Sequence, residues 1–222
     1  MGWLGFAAVF AAFFVTHSLP LRPAIRAWLV VRLGARGFRL GYALLSVAML
    51  GALVYAAGAA PFVLLWPQAP WQVMAVRAGM FAACLLAAFG IARPNPFSFG
   101  GLDNDRFDPA RAGIVRHVRH PVFLALGLWG LVHLLPNGDL AHVILFGMLG
   151  GFAFLGMRLV DRRKRQQMGA DAWQRLRRDL AAAPRLQPPL SRAGAALRVA
   201  AAVLVYGALL WLHAPVIGVA VI

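Results

Sequence analysis

Residues 120–163 read HPVFLALGLWGLVHLLPNGDLAHVILFGMLGGFAFLGMRLVDRR, and this stretch decides the fold class. It contains two apolar runs separated by the turn Pro136-Asn137-Gly138-Asp139, and it ends in basic residues. A helix that crosses the hydrocarbon of a bilayer needs about 20 mostly apolar residues, and each run is close to that length. Asn and Gly suit a tight turn, and Asp139 can cap the helix that follows. We therefore expect an antiparallel pair of transmembrane helices.

The rest of the chain repeats this pattern of apolar runs between polar segments. The 222 residues are 61% hydrophobic and 13% charged, which is far from the composition of a soluble domain. We predict an all-α, polytopic membrane protein with a single domain over residues 1–222. Its six transmembrane helices are expected at residues 3–19, 40–60, 71–92, 118–135, 140–157 and 195–212. The polar segment 161–189 is predicted to form a cytoplasmic amphipathic helix between helices 5 and 6.

The basic residues are confined to alternate loops. The chain has 22 Lys and Arg residues against 7 acidic ones, a formal net charge of +15. They fall almost entirely in residues 22–39, 93–119 and 158–198, whereas residues 61–76 carry no charge. Basic loops face the cytoplasm, so both termini are predicted to lie outside a bacterial inner membrane. Because the arginines lie between apolar runs, we expect membrane lipids as partners and not nucleic acid.

Ionisable side chains within apolar helices are costly and therefore mark candidate functional sites. His17 and His133 lie in such runs, where an imidazole forms either a structural hydrogen bond or a bond to a metal or haem. His117 and His120 precede helix 4. They either join the upstream carboxylates in a metal site, or they anchor lipid headgroups or bind an anionic part of a ligand at the helix N-terminus. The carboxylates are Asp103, Asp105 and Asp108, and interfacial roles are expected for Arg77, His142 and His213.

The stretch that begins at His120 closely resembles the NnrU family of membrane proteins. The resemblance extends over most of the chain, to Thr16-His17-Ser18, Gly41-Tyr42, Trp66-Pro67 and Gly169-Ala170-Asp171-Ala172-Trp173. Bacterial members of the family are associated with nitric oxide and nitrite metabolism. A plant relative, zeta-carotene isomerase, is a haem b enzyme that isomerises a double bond in a lipophilic polyene. The resemblance implies a haem-associated protein linked to denitrification or to redox-gated isomerisation of a lipophilic substrate.

The same resemblance implies haem b held by histidines, because His17, His120 and His133 match the family's histidines. The family favours His17 with His133 as ligands of the haem iron. Depth in the membrane favours His17 with His120, because His133 lies about 20 Å further along helix 4 than His120. Both pairings stay open on the sequence, and the catalytic residues are unknown.

Two other functions are compatible with the sequence. One is a non-catalytic assembly or transport factor for respiratory membrane enzymes, in which the histidines are structural. The other is a lipid or prenyl methyltransferase, since Arg119-His120-Pro121 and Asp161-Arg162-Arg163 are similar to segments of the isoprenylcysteine and phospholipid methyltransferases. The acidic pair of those enzymes is replaced here by the basic sequence at residues 163–167.

Overall fold

The computed structural model describes residues 1–220, and the regular elements in this part of the chain are helical. The α-helices are α1 (Trp3–Ser18), α2 (Pro23–Gly58), α3 (Pro70–Gly90), α4 (Pro121–Leu134), α5 (Leu140–Met168), α6 (Ala170–Ala182) and α7 (Arg192–Ile217). Single 3-10 turns occur at Leu19–Leu21, Asn104–Arg106, Pro109–Arg111 and Gly113–Arg116. Three of the α-helices start with proline, whose fixed φ suits the first helical position and whose missing N–H costs nothing there.

Five helices are long and apolar enough to cross a membrane: α1 with the turn after it, α2, α3, α5 and α7. The chain thus has the helices of a multi-pass membrane protein. The helix α4 is also apolar but has only 14 residues, a length of about 21 Å at 1.5 Å per residue. It starts later than the predicted residue 118 because Gly113–Arg116 forms a 3-10 turn and His120 is the N-cap. The sixth crossing and the side on which each terminus lies stay predictions.

Two helices extend beyond their predicted boundaries. The helix α2 begins at Pro23, well before the predicted residue 40, so most of the first basic segment is helical. Arginine is a good helix former, and the Arg32 guanidinium lies 5.0 Å from the centre of the Trp28 ring one turn away. Gly34 interrupts the helix with a φ of 70°, a value that glycine tolerates best. Likewise, α5 continues past the predicted residue 157 to Met168, so it includes the first basic residues after the apolar run and the start of the segment predicted to form a separate amphipathic helix.

The structure divides into two compact units, of which the first comprises residues 1–67 and 138–145. In this unit α1 packs along α2, and Phe6, Phe10 and Phe13 of α1 are buried. The segment after α2 pairs with the start of α5, where the Leu65 amide donates to the Gly138 carbonyl at 2.7 Å. Asp139 caps α5 as predicted, because its Oδ1 accepts a hydrogen bond from the His142 amide at 3.2 Å.

The second unit comprises residues 68–137 and the described residues from 146 onward. Here α3 packs against α4 and α7. The helices α4 and α5 approach closely at Gly130 and Gly150: a Cβ atom on Gly130 would lie 2.9 Å from the Gly150 nitrogen. Small residues allow such close packing of helices in membranes.

The helix α6 lies within the predicted amphipathic segment 161–189 but is shorter than it. Its apolar residues Trp173 and Leu180 are buried in a cluster with Phe97 and Val115. Much of the apolar side of α6 is therefore covered by the loop before α4. Whether α6 also touches a membrane surface stays a prediction.

The predicted orientation can be tested by labelling with a thiol reagent that does not cross membranes. In a Cys84→Ser background, a cysteine in place of the exposed Gln68 should react from outside intact cells, because the loop after α2 is uncharged. A cysteine in place of the exposed Ala170, close to the basic end of α5, should react only after the cells are opened. The reverse pattern would overturn the predicted topology.

Candidate functional site

His17 occupies the last turn of α1, in the first unit, and is paired with Tyr42 of α2. The Tyr42 hydroxyl donates to the His17 carbonyl oxygen at 2.9 Å, and the His17 Nδ1 lies 3.1 Å from the same hydroxyl oxygen. Because the hydroxyl proton is used by the carbonyl, the Nδ1–H of the imidazole donates to the Tyr42 oxygen. In this tautomer the lone pair of the ring is on Nε2. The Phe13 ring stacks on the imidazole with the ring centres 5.4 Å apart.

His133 occupies the last turn of α4, in the second unit, and shows the same hydrogen-bonding pattern. Its Nδ1 lies 2.8 Å from the Trp129 carbonyl oxygen, to which it donates its proton. The lone pair of this imidazole is therefore also on Nε2. The rings of Trp129 and Phe146 flank it, with centres at 5.6 and 5.1 Å. The surroundings are apolar, as the sequence predicted.

His120 is different, because both of its ring nitrogens are hydrogen-bonded. It is the N-cap of α4 and is 4% exposed. Its Nε2 lies 2.9 Å from Asp161 Oδ1, and its Nδ1 lies 3.0 Å from Ser98 Oγ. Burial lowers the pKa of the His120 imidazole below its ordinary value, and the nearby Asp161 carboxylate only partly opposes this effect. The neutral ring thus donates from Nε2 to Asp161 and accepts at Nδ1 from the Ser98 hydroxyl.

Ser98, His120 and Asp161 form a row like that of a hydrolase triad, but the row is closed to substrate. Its distances match those between a nucleophile, a base and the group that orients the base. Ser98, however, is only 2% exposed, so its hydroxyl cannot meet a bulky substrate. The arrangement therefore holds the loop before α4 against α5.

Arg119 and Asn95 extend this network. The Arg119 guanidinium donates from Nη2 to Asp161 Oδ2 at 2.8 Å, and the buried Asn95 side chain donates to the Arg119 carbonyl at 2.9 Å. The buried Nε of Arg119 has no hydrogen-bond partner within residues 1–220. An unpaired buried donor costs about 1–3 kcal/mol. The sequence did not predict the roles of Ser98 and Asn95, although Asp161 stands out as the only acidic residue in α5.

A cavity of about 400 Å³ lies beside this network, within the second unit. Among the described residues, its polar wall contains arginine and histidine side chains and no acidic one, and its apolar wall comes from α4, α5 and α6. The polar wall includes Arg116, His117, Arg119, His120 and Arg177. The apolar wall includes Leu124, Phe154 and Met157. Such a lining suits a ligand that is anionic at one end and apolar at the other.

His117 lies beside His120 in sequence but not in its network. Its Nε2 lies 2.9 Å from the Arg185 carbonyl oxygen, to which it donates a hydrogen bond. In residues 1–220, no three His, Cys, Asp or Glu side chains are arranged to hold a metal ion. The two histidines are therefore not joined to the upstream carboxylates in a metal site there.

His142 and His213, near the ends of apolar helices, have hydrogen-bond partners close by in sequence. The His142 Nδ1 lies 2.7 Å from Asp139 Oδ2, within the cap of α5. The His213 Nδ1 lies 2.7 Å from the Val219 carbonyl oxygen, and this side chain is near the end of α7. The interfacial roles expected for His142, His213 and Arg77 stay predictions.

The family resemblance implies haem, and the hydrogen bonds of the three histidines indicate which of them are suited to ligate its iron. A histidine that ligates a metal usually donates its other ring N–H to a carbonyl or another acceptor, which fixes the tautomer and the ring orientation. His17 and His133 both have this arrangement. His120 does not, because iron could bind it only if the bond to Ser98 or to Asp161 were broken. His17 and His133 therefore fit an iron ligand, each within its own unit.

Comparison with known proteins assigns the chain to a family. No curated protein and no solved structure matches it. The family model described as NnrU protein matches residues 5–221, which is nearly the whole chain. This all-helical membrane protein therefore belongs to the NnrU family.

Proposed function

We propose that this NnrU-family protein binds haem b through histidine, with His133 and His17 as candidate ligands of the iron. The observation that carries the proposal is the hydrogen bond from His133 Nδ1 to the Trp129 carbonyl at 2.8 Å, in an apolar and aromatic environment. This bond directs the lone pair of the ring to Nε2. The Tyr42 hydroxyl has the same effect on His17.

Haem bound in this way supplies one-electron redox chemistry. The residues of the chain fix the orientation of the imidazole rings through hydrogen bonds and aromatic contacts. The proposed role is support of nitrogen-oxide metabolism or redox-gated isomerisation of a lipophilic substrate, in a bacterial inner membrane. Apolar helix surfaces such as those beside His133 suit a ligand that arrives from the lipid.

Absorption spectra of the purified protein test the proposal. We expect a Soret band in the wild type and its loss in His133→Ala or His17→Ala. His120→Gln should keep the band, because the ring nitrogens of His120 are used by Ser98 and Asp161. The control is His117→Ala, which removes a histidine whose Nε2 is bonded to the Arg185 carbonyl and should also keep the band.

A further variant tests the role of Tyr42, the hydrogen-bond partner of the candidate ligand His17. Tyr42→Phe removes the hydroxyl and keeps the aromatic ring, so the haem should stay bound with a shifted reduction potential if His17 ligates iron. A folded wild type without a Soret band would exclude haem and favour the assembly or transport factor with structural histidines. A band that survives both His17→Ala and His133→Ala would exclude these two ligands.

The methyltransferase is the weaker alternative. Its cofactor, S-adenosylmethionine, carries a sulfonium cation, whereas the cavity beside His120 is lined by three arginines and no carboxylate. If S-adenosylmethionine binds the wild type but not His120→Ala, the methyltransferase becomes the better-supported function.

A further inference from the structure

We propose that the cavity beside His120 binds an anionic phospholipid, with the headgroup phosphate on the arginines and the start of an acyl chain on the apolar wall. The cavity is lined by Arg116, Arg119 and Arg177, and among residues 1–220 the one carboxylate bonded to any of them is that of Asp161. Cationic charge therefore exceeds anionic charge around the cavity. An anionic group is the ligand that balances it.

The three arginines differ in the hydrogen bonds and ion pairs that they already form. The Arg116 guanidinium donates to the carbonyl oxygens of Ala181 and Ala183, both at 2.9 Å, which hold it at the end of α6 without neutralising its charge. Arg119 shares Asp161 with His120. Arg177 is exposed and forms no ion pair in the described part of the chain. Arg177 is therefore the guanidinium that is best placed to take a phosphate.

Arg119 has hydrogen-bonding capacity that the described residues do not use. Its Nε is buried and has no hydrogen-bond partner among the described residues, while its Nη2 is bonded to Asp161. Buried donors in native proteins are nearly always paired. The Arg119 side chain as a whole lines the cavity and is 34% exposed, so its guanidinium can meet a phosphate there, and guanidinium groups bind phosphate through two nitrogens at once.

The apolar wall indicates that the ligand is a lipid and not a free anion. Leu124 lies one turn into α4, and Phe154 and Met157 lie on the apolar part of α5, two helices that supply membrane-type apolar surface. A free phosphate would leave this wall uncovered. A volume of about 400 Å³ accommodates a headgroup and the beginning of one chain, with the rest of the lipid in the bilayer.

Thermal unfolding of the full-length protein in neutral detergent tests the proposal. Added phosphatidylglycerol should raise the unfolding temperature, because a ligand that binds the folded state stabilises it. Phosphatidylcholine, which is zwitterionic, and glycerol 3-phosphate, which has no chain, should not raise it at the same concentration. Equal shifts of the unfolding temperature with both phospholipids would show that headgroup charge does not matter and would overturn the proposal. A shift with glycerol 3-phosphate would show that the ligand is a free phosphate and not a lipid.

A pair of variants on α6 locates the site. Arg177→Gln should weaken the apparent affinity for phosphatidylglycerol about fivefold, the effect of one cation near an anionic headgroup. Arg178→Gln removes a neighbouring exposed arginine that does not line the cavity and should leave the affinity unchanged. Equal losses in the two variants would show non-specific attraction and overturn the proposed site. Neither variant touches His17 or His133, so the Soret band should be the same in both.

Discussion

Gly130→Ala is expected to destabilise the protein by about 2–3 kcal/mol, although alanine is the better helix former. A Cβ atom at this position would lie 2.9 Å from the Gly150 nitrogen, 3.0 Å from the Gly150 Cα and 3.0 Å from the Phe146 carbonyl oxygen. All three are backbone atoms, so no side chain can rotate away. The helices α4 and α5 have to separate, and they lose the packing contacts between them.

The matched control for this prediction is Gly147→Ala on α5. A Cβ atom at Gly147 meets nothing within 4 Å, so the variant should be neutral or more stable by up to about 1 kcal/mol. The measurement is unfolding by a denaturing detergent, followed by tryptophan fluorescence or helical circular dichroism. Equal stability of Gly130→Ala and Gly147→Ala would contradict the close crossing. Gly130→Leu is the stronger version and should prevent recovery of folded protein.

Asp161→Asn is expected to cost about 2–3 kcal/mol, because one carboxylate accepts from two residues. Oδ1 accepts from His120 Nε2 at 2.9 Å and Oδ2 accepts from Arg119 Nη2 at 2.8 Å. An amide of the same shape has one acceptor oxygen, so its NH2 group faces one of the two donors. The cost is smaller than for a fully buried pair, because the Arg119 and Asp161 side chains are 34% and 28% exposed.

A control and a mutant cycle make the second prediction specific. Asp179→Asn changes an exposed carboxylate of α6 and should alter stability by no more than about 0.5 kcal/mol. Arg119→Gln combined with Asp161→Asn should cost less than the sum of the single variants by about 1 kcal/mol, because the two residues share one interaction. Strict additivity, or an Asp161→Asn variant as stable as Asp179→Asn, would show that the network does not stabilise the fold.

Boundaries between apolar and basic segments were harder to predict than the apolar helices themselves. The number of apolar residues that a bilayer crossing needs locates an apolar run, but it does not predict whether the helix continues into the neighbouring polar segment. In the structure, arginine-rich segments extend α2 at its start and α5 at its end. Arginine has a high helix propensity, so the change from apolar to basic residues marks a change of environment and not an end of the helix.

The candidate histidines were identified from the sequence, but their chemical states were not. A histidine in an apolar run signals a costly group that needs a partner, and this holds for His17 and His133. The tautomer depends on which atom meets Nδ1, which is a Tyr42 hydroxyl in one case and a Trp129 carbonyl in the other. The Trp129 carbonyl lies only one turn away from His133 along α4, so this bond could have been predicted from helix geometry. The bond between His17 and Tyr42 depends on the packing of α1 against α2.

The sequence by itself determined the membrane class, the apolar helices, the Asp139 cap of α5 and the family, because these depend on local residue order and composition. Only the tertiary structure decided which side chains meet. His120 finds Ser98 and Asp161 at sequence separations of 22 and 41 residues, and Gly130 meets Gly150 on the next helix. Periodicity and composition indicate how each single segment interacts with the lipid or water around it. Contacts between distant segments also depend on how the helices pack, and that packing fixes which partners His17 and His120 meet and where the arginines form a cavity.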